Sequence, residues 1–235
     1  FDSENALDED WLQALDVDTT PEKLLKIAPG IDTHHFAPRD ATELRRKYGL
    51  ENRPVIISVG RLVHRKGQDR LVEAMAEIVK KVPQAALVFV GEGPHRKELD
   101  RLVSLHNLHN HVIFIGRINY QDLPQYISMG DVFAMPSRSR LMGLEVEGLG
   151  IVYLEASACG LPVVVGNSGG AKDAVIDQVT GLLVDGTNVD QISNVICELL
   201  ADPIRSKAMG EAGRGWVVSN WQLSTWSEKF NKLLL

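Results

Sequence analysis

Six short apolar runs alternate with helix-length amphipathic segments from Val55 onward, and this alternation limits the possible folds more than any other feature of the chain. The runs are VIISV, ALVFV, VIFI, DVFAM, LPVVV and GLLV. They are continuously apolar rather than alternating, which is typical of strands buried on both faces. Strands that alternate with helices at this spacing predict right-handed βαβ units around a parallel sheet.

The predicted fold is therefore a doubly wound, Rossmann-like α/β domain over residues 28–202, followed by two helices over residues 203–235. Residues 1–27 are acidic at first and then rich in turn-forming residues, as expected of a connecting segment. In a doubly wound sheet a ligand binds beyond the carboxyl ends of the strands, near the point where the strand order reverses. The residues directly after the apolar runs are therefore the candidates for a binding site.

Composition excludes several classes of function. The net charge is −6 and no basic block is present, so the chain is a poor candidate for binding nucleic acid or docking on an anionic membrane. No apolar run is long enough to span a bilayer. Cys159 and Cys197 lack the spacing of metal ligands and lie in apolar helical patterns. They are predicted to be core thiols of a protein from a reducing compartment.

Two strand ends carry cations. Gly60 can form a tight turn after VIISV, and Arg61 and Lys66 follow it before a predicted helix. Cations at this position suit a phosphate or diphosphate, whereas the alternative is a solvated basic loop. Arg117 and Ile118 follow VIFI, where main-chain groups could meet the edge of a base. Neither the dinucleotide glycine fingerprint nor a Walker sequence is present.

The loop PSRSRLMGLEVEG follows DVFAM and leads into a helix predicted to begin near Gly150. Its glycines allow close approach of a ligand, and the helix start presents free N–H groups and the positive end of the dipole. Glu155 lies little more than one turn into the helix, where its carboxylate can accept paired hydroxyls such as those of a ribose. Glu147 would reach another part of the same ligand. The alternative is that Glu147 supports the helix dipole and Glu155 is solvated.

Two other strand ends are less specific. His95, in GEGPHRKEL after ALVFV, is predicted to be a surface helix residue. Gly169 and Gly170, after LPVVV, form either a plain turn or a turn whose N–H groups face a sugar or phosphate.

Together these motifs resemble the C-terminal half of GT-B retaining glycosyltransferases of family 4. The resemblance rests on three motifs in the family's order: SVGRLVHRKGQ, the pair Glu147 and Glu155 within EGLGIVYLEASACGLPVV, and SGGAKDAV followed by TGLLV. Leu149 stands where the family commonly has Phe, and the loop before Glu147 is longer. That loop and EVEGLGIVYLEASACG are similar to GDP-mannose-dependent phosphatidylinositol mannosyltransferases.

The resemblance implies a site for a nucleotide-diphospho-sugar, with GDP-mannose as the expected donor and no cofactor or bound metal. Arg61 and Lys66 would bind the diphosphate and stabilise the leaving group, Glu147 would address the sugar, and Glu155 would bind the ribose. Arg61, Lys66 and Glu147 are thus the expected catalytic residues. The implied donor-binding residues are Gly60, Arg61, Lys66, Arg117, Ile118, Glu147, Gly148, Leu149, Gly150, Ile151 and Glu155.

The expected reaction is retaining transfer of a hexose to a lipid or glycan acceptor such as a phosphatidylinositol mannoside. The family places the acceptor on an N-terminal domain, of which residues 1–27 would be a remnant with the linker. Residues 203–235 would pack back toward that domain, and this chain alone would be inactive. The full enzyme is expected in the cytoplasm, with peripheral association at the inner face of the plasma membrane.

Three alternatives remain open. One is a GT-B enzyme that uses a UDP- or ADP-sugar, and another is a phosphorylase or epimerase on the same fold, since fold alone does not settle chemistry. The third is a non-catalytic nucleotide-binding or interaction module.

Overall fold

Six parallel strands form one sheet in the order β3-β2-β1-β4-β5-β6 in the computed structural model, which describes residues 28–234. Each strand coincides with one of the predicted apolar runs. The strands are β1 Val55–Val59, β2 Ala86–Val90, β3 Val112–Gly116, β4 Val132–Met135, β5 Val163–Gly166 and β6 Gly181–Val184. The predicted Rossmann-like sheet is confirmed, and the predicted connecting segment at 1–27 lies outside the described residues.

The helices are α1 Thr42–Lys47, α2 Gln68–Lys81, α3 Arg96–Leu105, α4 Leu123–Ile127, α5 Ile151–Ala158, α6 Val189–Ala201, α7 Pro203–Asn220 and α8 Leu223–Leu234. Helices α2 to α5 connect successive strands from β1 to β5, as the alternation predicts, and a 3₁₀ turn connects β5 to β6. Short 3₁₀ turns lie at His64–Lys66, Tyr120–Asp122, Leu141–Gly143 and Gly169–Ala174. Among the helices described, none has the combination of length and apolar character that crossing a bilayer requires.

A hydrophobic layer covers each face of the sheet, which explains why the strand sequences are continuously apolar. Ile57 of β1 belongs to the layer that includes residues of α5 and α7, whereas its neighbour Ile56 belongs to the layer that includes residues of α2, α3 and α6. Both side chains are fully buried. Cys159 and Cys197 are buried free thiols, one in each layer, as predicted from their apolar surroundings.

The C-terminal helices close onto the start of the described chain. Trp221, between α7 and α8, is buried, and its carbonyl accepts a hydrogen bond of 2.6 Å from the Ile31 amide. Arg214 of α7 donates to the carbonyls of Phe36 and Ala158. Part of the 203–235 segment therefore packs on the sheet domain itself. Its packing toward a further domain, and the domain limits, stay predictions.

The strand order reverses between β1 and β4, and the loops that follow these two strands pack tightly against each other. Gly67 has φ +72°, and a Cβ there would lie 2.0 Å from the carbonyl oxygen of Pro136. The Arg138 amide donates to the Arg65 carbonyl at 2.8 Å. The site expected at the switch point is thus built from two loops held in direct contact.

Candidate functional site

Lys66 and Glu147 form a buried ion pair at the carboxyl edge of the sheet. Lys66 ends the 3₁₀ turn after β1, Glu147 lies in the loop after β4, and Nζ is 2.9 Å from each carboxylate oxygen. The two residues are 9% and 6% exposed. Lys66 is therefore not part of a solvated loop, and two motifs identified separately in the sequence meet at one point.

Further charges surround this pair. Arg65 Nε lies 3.8 Å from Glu147 Oε2, and Arg65 Nη1 lies 3.9 Å from Glu145 Oε1. Arg140 Nη1 contacts the other oxygen of Glu145 at 2.7 Å. Glu145 has no role assigned from the sequence, and the structure shows that it links the two arginines. These contacts set the conformation of the loop that carries Glu147.

The base of the same loop is anchored to α2 by Arg138. Its guanidinium donates to both carboxylate oxygens of Asp69 at 2.8 and 2.7 Å. Such a paired arrangement is geometrically specific as well as strong. Arg138 is therefore occupied in holding the loop rather than presented to a ligand.

Arg61 and Arg117 differ from Lys66, Arg138 and Arg140 because their side chains are exposed. Within residues 28–234 neither side chain makes a hydrogen bond or ion pair. Gly60 has φ +145°, which turns the chain sharply at the end of β1. Ile118 packs its side chain against the core, so its main chain is the part that can face a ligand. Arg61 and Arg117 are the free cations among the predicted site residues.

The start of α5 offers main-chain N–H groups beside the ion pair. Gly150 precedes the helix with φ +69°, and a Cβ there would lie 2.4 Å from the Tyr153 ring. No side chain caps this helix start, so its first amides are available to an anion. Gly148 and Ile151 are exposed, whereas Leu149 packs partly against the core. The predicted helix start near Gly150 agrees with the observed one.

Glu155 is the fifth residue of α5 and is partly buried. Burial raises the pKa of its carboxyl to about 7. Burial, and to a smaller extent the charge of Glu155, also raises the pKa of Tyr120 and of Cys159. Within residues 28–234 the Glu155 side chain has no hydrogen-bond donor, so a ligand hydroxyl would supply what the carboxylate lacks. The alternative of a fully solvated Glu155 is not observed.

The glycines after β5 have a packing role. A Cβ on Gly169 would lie 2.1 Å from the Glu147 carbonyl oxygen, and one on Gly170 would lie 2.4 Å from that of Gly148. The Gly170 amide donates to the Glu147 carbonyl at 3.2 Å, and the Glu147 amide donates to the Ser168 hydroxyl at 3.1 Å. This turn therefore holds the main chain of Glu147 in place.

The sequence prediction for His95 is wrong. His95 is 5% exposed, and its ring lies 3.6 Å from that of His64, centroid to centroid. Helical periodicity places His95 at the start of α3, but the loop after β1 covers it, because the His95 amide donates to the Leu62 carbonyl at 3.1 Å. Gly93 permits this contact, since its Cβ would lie 2.2 Å from the same carbonyl oxygen. The two glycines of GEGP were the signal in the sequence that another loop could pack closely over this turn and bury His95.

A sequence profile and known proteins similar to this chain indicate the same family. The sequence profile described as "Glycosyl transferases group 1" matches residues 40–216. A GDP-mannose-dependent alpha-(1-6)-phosphatidylinositol monomannoside mannosyltransferase of Mycolicibacterium smegmatis is 51% identical over 210 residues, which are 88% of this chain and 55% of that protein. The chain thus spans about half the length of the curated relative that it matches.

Solved structures share the fold. Anabaena Alr3699/HepE in complex with UDP superimposes with a TM-score of 0.83 at 26% identity, over 92% of this chain and 58% of that one. The C-terminal domain of the group 1 glycosyl transferase LpcC from Francisella tularensis superimposes with a TM-score of 0.71 at 25% identity, over 83% of this chain and all of that one. From the matching profile and the identity to its relatives, we conclude that this chain belongs to the group 1 glycosyl transferase family.

Proposed function

We propose that this chain is the donor-binding half of a retaining mannosyltransferase that takes mannose from GDP-mannose. The observation that carries the proposal is the Lys66–Glu147 contact at the switch point of the sheet, close to the open start of α5. Arg61, after the same strand as Lys66, is exposed and has no ion-pair partner within residues 28–234. The cations and the main-chain amides suit a diphosphate, and the carboxylate suits the hydroxyls of an attached sugar. The relative from Mycolicibacterium smegmatis, named as GDP-mannose-dependent, supports the choice of donor.

Each residue has a role that follows from its chemistry. Arg61 and Lys66 bind the diphosphate and neutralise the charge that develops on it as the bond to mannose breaks. Glu147, held by Lys66, accepts hydrogen bonds from the sugar hydroxyls, and Glu155 accepts those of the ribose. We assign Arg117 and the main chain at Ile118 to the contact with the base. Gly148, Leu149, Gly150 and Ile151 present main-chain amides to phosphate and sugar oxygens.

The rest of the reaction belongs to parts outside this domain. The acceptor, a lipid such as a phosphatidylinositol mannoside, would bind to an N-terminal domain, and transfer would need no metal. Residues 1–27 would lead from that domain, and residues 203–235 would pack back toward it. The whole enzyme would act in the cytoplasm at the inner face of the plasma membrane. The names of the mannosyltransferase relatives support the lipid acceptor.

Calorimetric titration of this chain with GDP-mannose, GDP, UDP-glucose and ADP-glucose tests the proposal. We expect one site for GDP and GDP-mannose and weaker binding of the other two. Arg61→Ala should weaken GDP binding by about 1.5–3 kcal/mol, or roughly 10- to 100-fold, because a charge-assisted hydrogen bond is lost. Arg101→Ala is the matched control, since Arg101 is an exposed arginine on α3, paired with Glu98.

The outcomes separate the alternatives. Preferential binding of UDP-glucose or ADP-glucose would assign the site to a different donor. Absence of binding by all four nucleotides would refute a donor site and leave an interaction module. Residues 28–235 alone should transfer no mannose to a phosphatidylinositol mannoside, because the acceptor is proposed to bind to another domain.

A further inference from the structure

The imidazole of His95 is buried without a hydrogen-bond partner. The residue is 5% exposed, and neither Nδ1 nor Nε2 has a partner within the described residues. A buried polar group without a partner is unfavourable, because the hydrogen bonds it made to water are not replaced. His95 plays no part in the proposed donor site, so its position at the carboxyl edge of the sheet needs another explanation.

Two further metal-ligating side chains face the same point. Atoms of His64, Asp69 and His95 that could bind a metal all lie within 4.8 Å of one another. His64 is exposed, which gives the cluster access to solvent. The cluster joins the loop after β1, the first turn of α2 and the start of α3.

Main-chain contacts position the two imidazoles before any ligand arrives. The Leu62 amide donates to the Glu92 carbonyl at 2.9 Å, and the His95 amide donates back to the Leu62 carbonyl at 3.1 Å. A Cβ on Gly91 would lie 2.1 Å from the Gly60 carbonyl oxygen, so the loops after β1 and β2 are in close contact along their length. Such rigid support is what a metal site needs from its scaffold.

We propose that His64, Asp69 and His95 form a binding site for a divalent transition-metal ion, with Zn²⁺ as the expected occupant. Two imidazoles and one carboxylate are a typical ligand set for zinc with one position left open to water. Tetrahedral zinc with ligand distances of about 2.0–2.2 Å separates its ligand atoms by roughly 3.3–3.6 Å. The three ligand atoms lie within 4.8 Å of one another, so a bound ion would draw them closer together. The inference does not depend on the proposed function.

A neighbouring cation opposes a metal ion at this cluster, because it already occupies one of the three side chains. Arg138 is the competitor, since it already donates to both oxygens of Asp69. Removal of this guanidinium should therefore strengthen metal binding.

Titration of the metal-free chain with Zn²⁺ by calorimetry, and with Co²⁺ by visible absorption, tests the site. We expect one saturable site and the absorption bands of low-symmetry Co²⁺. His64→Ala should weaken binding by more than the roughly 10- to 100-fold that loss of an outer partner costs, because it removes a direct ligand. His109→Ala is the control, since His109 is also exposed but lies outside the cluster.

Each variant gives a result that either supports or overturns the proposed metal site. Because His64 is exposed, its replacement leaves the fold intact, whereas His95→Gln reports on the buried ligand and is checked by circular dichroism. No saturable binding, or equal affinity in the His64→Ala and His109→Ala variants, would overturn the proposal. Arg138→Gln should tighten binding, and an unchanged affinity would remove Asp69 from the ligand set and overturn the three-ligand site.

Discussion

Lys66 and Glu147 are separated by 81 positions in the chain, yet they form one buried ion pair. A buried pair contributes little compared with apolar residues of the same shape, but the loss of one partner leaves an uncompensated charge in the interior. The pair therefore makes the proposed donor site sensitive to single changes at either position. It also holds the carboxylate of Glu147 in position before a ligand binds.

We expect Lys66→Met or Glu147→Gln alone to lower the free energy of unfolding by about 3 kcal/mol. The double variant should lose much less than the sum of the two, because neither charge remains unpaired. Urea unfolding of the four proteins gives the coupling free energy. Additive losses would show that the two side chains do not interact in the folded protein.

Glu155 predicts a pH dependence of stability. Its carboxyl has a pKa of about 7 in the folded chain, against 4.5 for the ordinary side chain. Between these pH values the unfolded state loses its proton first, so the contribution of Glu155 to stability falls as the pH rises from about 4.5 to about 7 and stays low above that. Ionised Glu155 thus destabilises the ligand-free domain, which agrees with the ligand-binding role proposed for it.

Glu155→Gln should therefore raise the free energy of unfolding at pH 8 by roughly 1–3 kcal/mol, and by little at pH 4. Chemical unfolding at the two pH values measures the difference, with the exposed Glu51→Gln as control. The same substitution should weaken GDP binding, because an amide is a poorer acceptor for the ribose hydroxyls. Equal stabilisation at both pH values would exclude ionisation as the cause.

At the scale of elements, the loops after β1 and β4 form the site because Gly67 lets their main chains touch. Gly67 combines φ +72° with a Cβ position 2.0 Å from the Pro136 carbonyl oxygen. Gly49 has a similar φ of +65°, but no described atom lies within 4 Å of its Cβ position. Comparing substitutions at the two glycines therefore separates the free-energy cost of a left-handed backbone from the cost of a steric clash.

Gly49→Ala should cost about 1–2 kcal/mol of stability, which is the conformational term alone. Gly67→Ala should cost more and should also weaken GDP binding, because the loop after β4 has to move away from Lys66. Thermal unfolding and titration of both variants make the comparison. If Gly67→Ala binds GDP as tightly as Gly49→Ala does, the contact between the loops does not position the site.

At the scale of the molecule, the fold could be predicted from the sequence and part of the site could not. The six apolar runs predicted the six strands because burial on both faces leaves a local trace in the chain. The candidate site residues could be located because a parallel sheet brings its strand ends to one edge. His95 was missed because helical periodicity describes the face of one helix and contains no information on a loop that packs over its first turn.

The sequence by itself determined the class of fold, the positions of the strands and helices, and the chemical types at the strand ends, because each depends on residues close together in the chain. Only the tertiary structure decided that Lys66 is paired with Glu147 and that His95 is buried against His64. It also decided that Arg138 is occupied by Asp69, while Arg61 has no ion-pair partner within residues 28–234. These contacts depend on how loops from different strands pack against each other. Glycines permit the short main-chain distances between the loops. The pattern of apolar and polar residues along the chain does not show which loops come together.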